Sequence, residues 1–178
     1  MARDVADRGA FVLTVSPESG GAGEIPSTRT PVILLVEDSV ADVRLMQEVL
    51  RETGLPHQLV VAGDGERALR VLRGEGDYSG QRAPDLVLLD LNLPGMDGRQ
   101  VLRTIKQDPA LRRTPVLILS TSTAESDIIA SYEAHANCYL SKPVDLSDFF
   151  RLAEAIRDFW LRLVILPPKV GPNSRPAG

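Results

Sequence analysis

The sequence predicts an α/β fold, a five-stranded parallel sheet covered by helices on both faces. Three observations predict it. Short apolar runs bounded by turn residues recur along the chain, as expected of strands buried on both faces. Segments of helical periodicity separate these runs, and such alternation implies parallel pairing through right-handed crossovers. Charged residues sit just past three of the runs: Glu37-Asp38, Asp90 and Lys142. Open α/β sheets carry their chemistry at that edge.

Each element has a local reason. The first strand is read at 32–36, Val-Ile-Leu-Leu-Val. The first helix is read at 39–53; Ser39 offers an N-cap oxygen and Gly54 a left-handed stop. The second strand is read at 58–62 and the second helix at 65–73. Residues 74–84 form a polar, glycine-containing loop. The third strand, 86–89, ends at Asp90. The turn 91–98 follows, with Gly95 and Gly98 allowing tight backbone approach and Asp97 capping the third helix at 98–107. Pro109 ends that helix. Pro115 introduces the fourth strand at 116–119. The fourth helix is read at 125–134, the fifth strand at 137–140, and one continuous fifth helix at 146–164, stopped before Pro167. In that last helix Phe149, Leu152, Ala153, Ile156, Trp160 and Leu163 form the expected core stripe. Phe150, Phe159, Leu161 and Val164 fall largely outside it.

A length of 178 residues suits one domain with tails. Residues 1–30 read as a flexible leader and 166–178 as a flexible tail, from their Gly, Pro and Ser content. A net charge of −4 with scattered basic residues gives no nucleic-acid footprint. No apolar run approaches the roughly 20 residues of a membrane span. The run 10–15 is too short for a secretory signal core, and Asp4 and Asp7 flank it. A single cysteine, Cys138, rules out an internal disulfide and reads as a small core residue. The expected compartment is the cytoplasm.

The ordered set Glu37-Asp38, Asp90, Ser120 and Lys142-Pro143, each after its own strand, resembles the receiver domain of bacterial response regulators. The resemblance covers 31–165. It implies a flavodoxin-like doubly wound sheet of order 2-1-3-4-5, with the topological switch between the strands that end at Glu37-Asp38 and at Asp90. It also implies that Asp90 accepts a phosphoryl group.

The residues support that chemistry. Three carboxylates at one edge repel one another and raise each other's pKa unless a cation intervenes. Mg²⁺ suits the place, because it takes few protein oxygens and shares phosphate oxygens. The family pattern implies that Asp38, Asp90 and the backbone carbonyl of Asn92 bind it directly, with Glu37 acting through a water. A carboxylate nucleophile forms an acyl phosphate, and the attack needs mainly positioning and cations. Lys142 supplies the second cation. By the same resemblance, Pro143 makes a cis bond that aims Lys142, and Ser120 hydrogen-bonds the new phosphoryl oxygen. The resemblance also implies that Tyr139 changes rotamer with Ser120 and that Asn92 and Ser122 tune phosphoryl loss. Family members often carry glycine where this chain has His135, which bears on the turn before the fifth strand.

The stretch 135–144, the long 74–84 loop and Asp158-Phe159-Trp160-Leu161 resemble the small single-domain regulators paired with phytochrome-type histidine kinases. The expected partners are such a kinase and a second copy, joined through the helix 4, strand 5 and helix 5 region. No DNA or membrane partner is expected. No output domain is read after Val164, so the signal is expected to leave through protein contacts. The chain is expected to catalyse only its own phosphorylation and dephosphorylation. Two other readings stay open. One is a receiver-like binding module that works without phosphorylation. The other is an Asp-nucleophile phosphatase of the haloacid dehalogenase type, against which Asn92 stands where that chemistry needs an acid.

Overall fold

A computed structural model describes residues 12–14 and 29–168. Its elements run β1 (Val12–Thr14), β2 (Val32–Val36), α1 (Val40–Glu52), β3 (Gln58–Ala62), α2 (Gly65–Arg73), β4 (Leu86–Leu89), α3 (Gly98–Gln107), β5 (Val116–Ser120), α4 (Glu125–Glu133), β6 (Cys138–Ser141) and α5 (Leu146–Ala155). A 3-10 turn, Gly76–Tyr78, occupies the long loop, and a π-helical segment, Ile156–Leu163, follows α5. The sheet order is β1-β3-β2-β4-β5-β6. The five strands from β2 onward pair in parallel in the expected 2-1-3-4-5 order.

Alternation along the strands divides the core in two, since neighbouring residues point to opposite faces. Val32, Leu34, Val36, Val87, Leu89 and Ile118 meet Ala68, Leu72, Val101 and Ile105 of α2 and α3. Ile33, Leu35, Leu86, Leu88 and Leu117 meet Val43, Met46, Leu50, Phe149 and Ile156 on the other face. Burial of large apolar side chains on both faces holds the sheet rigid. In α4, by contrast, only Ser131 is buried, so that helix is the least firmly seated.

The caps follow the sequence. The Ser39 hydroxyl accepts from the Asp42 N–H, and the Asp97 carboxylate accepts from the Arg99 N–H. Asp85, buried below the start of β4, accepts from Arg29, Arg82 and the Val32 N–H, so its charge is fully met.

Three expectations are corrected. First, the leader contributes an edge strand. β1 pairs antiparallel with β3, so among the described residues the sheet has six strands, one of them antiparallel. The outer edge of β3 offers unpaired donors and acceptors, which an extended apolar segment can meet. The rest of the 1–30 leader reading as far as residue 28, and the tail from 169, lie outside the described residues. Second, the fifth helix changes type at Ile156. The i→i+5 pattern of a π-helix returns residue i+5 to a face, where an α-helix returns i+3 and i+4. Leu161 therefore packs against the core with Trp160, while Leu163 is exposed. Third, the described residues contain no cis peptide bond, so Lys142-Pro143 is trans. The trans form is the default by about 0.5–1 kcal/mol even before proline, and strand register alone delivers Lys142, as shown below. Cys138 is half-buried against the core, and burial pushes its thiol pKa up.

His135 keeps the glycine-type turn: it has φ 65°, the only positive value at a non-glycine among the described residues. A side chain in that region costs about 1–2 kcal/mol. His135→Gly is expected to raise stability by about 1 kcal/mol, the strain relief less the entropy that glycine adds to the unfolded chain. Urea unfolding reads this, and an unchanged or lower midpoint contradicts it.

Candidate functional site

Strand register builds the site. The Glu37 N–H donates to Ala62 O and the Asp90 N–H to Val36 O, so both residues extend the ladder one step past β2 and β4. The Lys142 N–H donates to Ser120 O at 2.8 Å, continuing the β5–β6 pairing by one residue. The carboxyl ends of β2, β4, β5 and β6 thus bring residues from distant parts of the chain together.

The side chains then meet. Lys142 Nζ lies 2.5 Å from Glu37 Oε2, 2.5 Å from Asp90 Oδ2 and 3.1 Å from Asp42 Oδ2. Glu37, Asp90 and Lys142 are buried, whereas Asp38 is exposed at the mouth. Glu37 Oε1 accepts from the Ser39 N–H, and Asp90 Oδ1 accepts from the Asn92 N–H. Carboxylate oxygens of Glu37, Asp38 and Asp90 lie within 4.8 Å of one another.

Charge is unbalanced here. Four carboxylates, Glu37, Asp38, Asp42 and Asp90, share one ammonium. Burial pushes the Glu37 carboxyl above its usual range; Lys142 opposes this, and the Asp90 charge adds to it. Burial also disfavours the Lys142 ammonium, but hydrogen bonds and charge from Asp90 and Glu37 outweigh it and hold its pKa above the ordinary lysine value. A cluster of hard oxygen donors with surplus negative charge fits a divalent cation.

The other residues singled out from sequence surround this cluster. Ser120 is buried, and its hydroxyl accepts from the Ser122 N–H at 3.2 Å; the neighbouring Thr121 is exposed. The Tyr139 hydroxyl donates to Ser122 O at 2.9 Å, and its ring packs against the core. Asn92 is exposed on the turn after β4. The Ser122 hydroxyl donates to Asp127 at 2.6 Å. Sequence reasoning missed Asp42, the acidic residue in the first turn of α1; acids are common at helix N-termini, so its position alone does not announce a place in the site. It also missed Arg99 and Asp127, paired at 2.7 Å; nothing in their local sequence announces that pairing.

Comparison with known proteins identifies the family. Residues 33–154 match the response regulator receiver domain. Response regulator Rcp1 of Synechocystis sp. is 53% identical over 136 residues, covering 76% of this chain and 92% of Rcp1. The crystal structure of the phosphorylated cyanobacterial phytochrome response regulator RcpA superposes with a TM-score of 0.75 at 49% identity, covering 79% of this chain and 100% of that one. The Mn²⁺-bound form of Rcp1 gives 0.73 at 52% identity, covering 78% and 99%.

Proposed function

The chain belongs to the response regulator receiver domain family, and we propose that it works through Asp90, which takes a phosphoryl group from a histidine kinase. Its function is phosphorylation-dependent signalling in a two-component system. The observation that carries the assignment to Asp90 is the 2.5 Å contact of Lys142 Nζ with its Oδ2, at the sheet edge where the acidic cluster gathers.

An Asp90 oxygen attacks phosphorus as the phosphohistidine N–P bond breaks. The imidazole leaves and an acyl phosphate forms. Lys142 neutralises charge on the transferred oxygens. Glu37, Asp38, Asp90 and the Asn92 carbonyl would hold a divalent cation, Mg²⁺ in the cell. When bound, that cation supplies the remaining charge stabilisation. Ser120 trades its Ser122 N–H bond for the phosphoryl oxygen, and Tyr139 follows inward. Asn92 and Ser122 set the rate of phosphoryl loss. The weakly seated α4 shifts between two populations, and the signal leaves through protein contacts. Apart from its own phosphorylation and dephosphorylation, the chain catalyses nothing.

The resemblance to RcpA, itself a phytochrome response regulator, favours a phytochrome-type kinase as donor. Exposed Ile129 and Tyr132 on α4, with Phe159 and Leu163 on the π-helical segment after α5, favour a homodimer. Sedimentation velocity tests it, and a monomer at all concentrations, phosphorylated or not, removes it. Among the described residues no helix is long and apolar enough to cross a membrane; the proposed location is the cytoplasm.

Transfer of labelled phosphoryl from a phosphohistidine donor tests the function. Label is expected on the wild type with Mg²⁺, and a chelator is expected to abolish it. Equal labelling after chelation would refute the role given to the acidic cluster.

A further inference from the structure

Two loops flank Asp90. Residues 91–97 run from β4 into α3 and carry Asn92; residues 121–124 run from β5 into α4 and carry Ser122. The first turns of the two following helices are joined. Arg99 Nη2 of α3 lies 2.7 Å from Asp127 Oδ1 of α4. Arg99 also holds Asp97, the cap of its own helix, at 3.2 Å. The two side chains are partly exposed, 29% and 24%, so the pair is held by its geometry and not by burial.

The second oxygen of Asp127 takes the hydroxyl proton of Ser122 at 2.6 Å. Ser122 is a node. Its N–H donates to Ser120 Oγ, its carbonyl accepts from the Tyr139 hydroxyl, and its Oγ also accepts from the Ala124 N–H. Each of its polar groups is engaged, and the two residues assigned to the switch both hang from it. Ser122 and Arg99 hold the Asp127 carboxyl below its usual range, so it stays ionised and keeps its demand for that proton.

We propose that Arg99 and Asp127 form a strap across the two loops and that Asp127 is a positioning residue, holding the Ser122 hydroxyl away from the phosphoryl group and so lengthening its lifetime. This rests on Asp90 being the phosphoacceptor. While its proton is held by Asp127, Ser122 donates neither to an attacking water nor to a phosphoryl oxygen. Released, the hydroxyl rotates about χ1 and orients water for attack. Water oxygen then bonds to phosphorus and the bond from phosphorus to Asp90 breaks. The carboxylate is restored, and inorganic phosphate and a proton leave to solvent.

The test is a double-mutant cycle on the decay of the Asp90 acyl phosphate, followed by intact mass at fixed Mg²⁺ and salt. Asp127→Ala is expected to hasten decay about fivefold, the weight of one hydrogen bond. In Ser122→Ala there is no hydroxyl to hold, so Asp127→Ala added to it is expected to change nothing further. Arg99→Gln, which leaves Asp127 and Ser122 in place, is expected to hasten decay less, and again only when Ser122 is present. Thermal melts confirm that each variant is folded. Wild-type decay in Asp127→Ala overturns the proposal, as does equal acceleration with and without Ser122, which would mark a purely structural effect on α4. Absence of any adduct on the wild type would overturn the Asp90 assignment together with the strap. An adduct with an additive cycle would overturn the strap alone.

Discussion

Lys142→Met is expected to slow phosphoryl uptake at Asp90 about a hundredfold or more, the usual loss when a preorganised charge at a reacting centre is removed. Methionine keeps much of the length and removes the charge. The same change is expected to tighten divalent cation binding about tenfold, because one positive charge a few ångströms away no longer opposes it. The ammonium contacts Glu37, Asp90 and Asp42 and offsets part of their charge. Without it, Glu37 and Asp90 are left as buried carboxylates with no cationic partner, a large cost in cation-free buffer. The sign with pH is fixed. Glu37 already lies above its usual pKa, chiefly through burial. A raised folded pKa means a contribution present below the unfolded value and lost as pH rises through the folded one. Removing Lys142 raises the Glu37 pKa further, so the stability deficit of the variant is expected to widen as pH climbs above the ordinary glutamate range. Labelling rates, cation titration by calorimetry and urea melts across pH measure the three effects. Unchanged labelling, or weaker cation binding, would contradict this reading of Lys142.

Gly98→Ala is expected to destabilise the fold by about 3 kcal/mol and to impair phosphoryl uptake as well. A Cβ at Gly98 would lie 2.1 Å from the Asp90 carbonyl oxygen and 2.7 Å from Leu91 Cα. Both are backbone atoms of the turn that carries Asp90, the proposed phosphoacceptor, so no side chain can move aside. The start of α3 would be pushed off that turn, and the Gly98 N–H bond to Leu91 O would stretch with it. Chemical denaturation reads the first effect and labelling the second. A loss of stability under about 1 kcal/mol would show that the turn yields more easily than packed backbone should.

The central strands were legible because each is a short apolar run closed by turn residues, and burial on both faces leaves such a run little choice. Glu37, Asp38, Asp90 and Lys142 were legible because a parallel sheet sends everything just past its strands to one edge. What stayed hidden depends on partners distant in sequence. β1 is three residues long and exists by pairing with β3. Asp42 matters because Lys142, a hundred residues on, reaches it. The Arg99–Asp127 strap joins two helix starts whose separation only the folded sheet sets. The π segment exposes Leu163 through a change of helical period that the apolar pattern did not signal. The trans bond before Pro143 departs from an expectation based on resemblance; the Lys142 N–H bond to Ser120 O shows how the lysine is aimed without a cis bond.

The most direct measurement is intact mass after incubation with acetyl phosphate and Mg²⁺, with the adduct mapped by peptide. One phosphoryl group on Asp90, absent from Asp90→Asn and absent without divalent cation, is the predicted result. An adduct that persists in Asp90→Asn, or that maps to another residue, would contradict the assignment of this edge as the phosphorylation site.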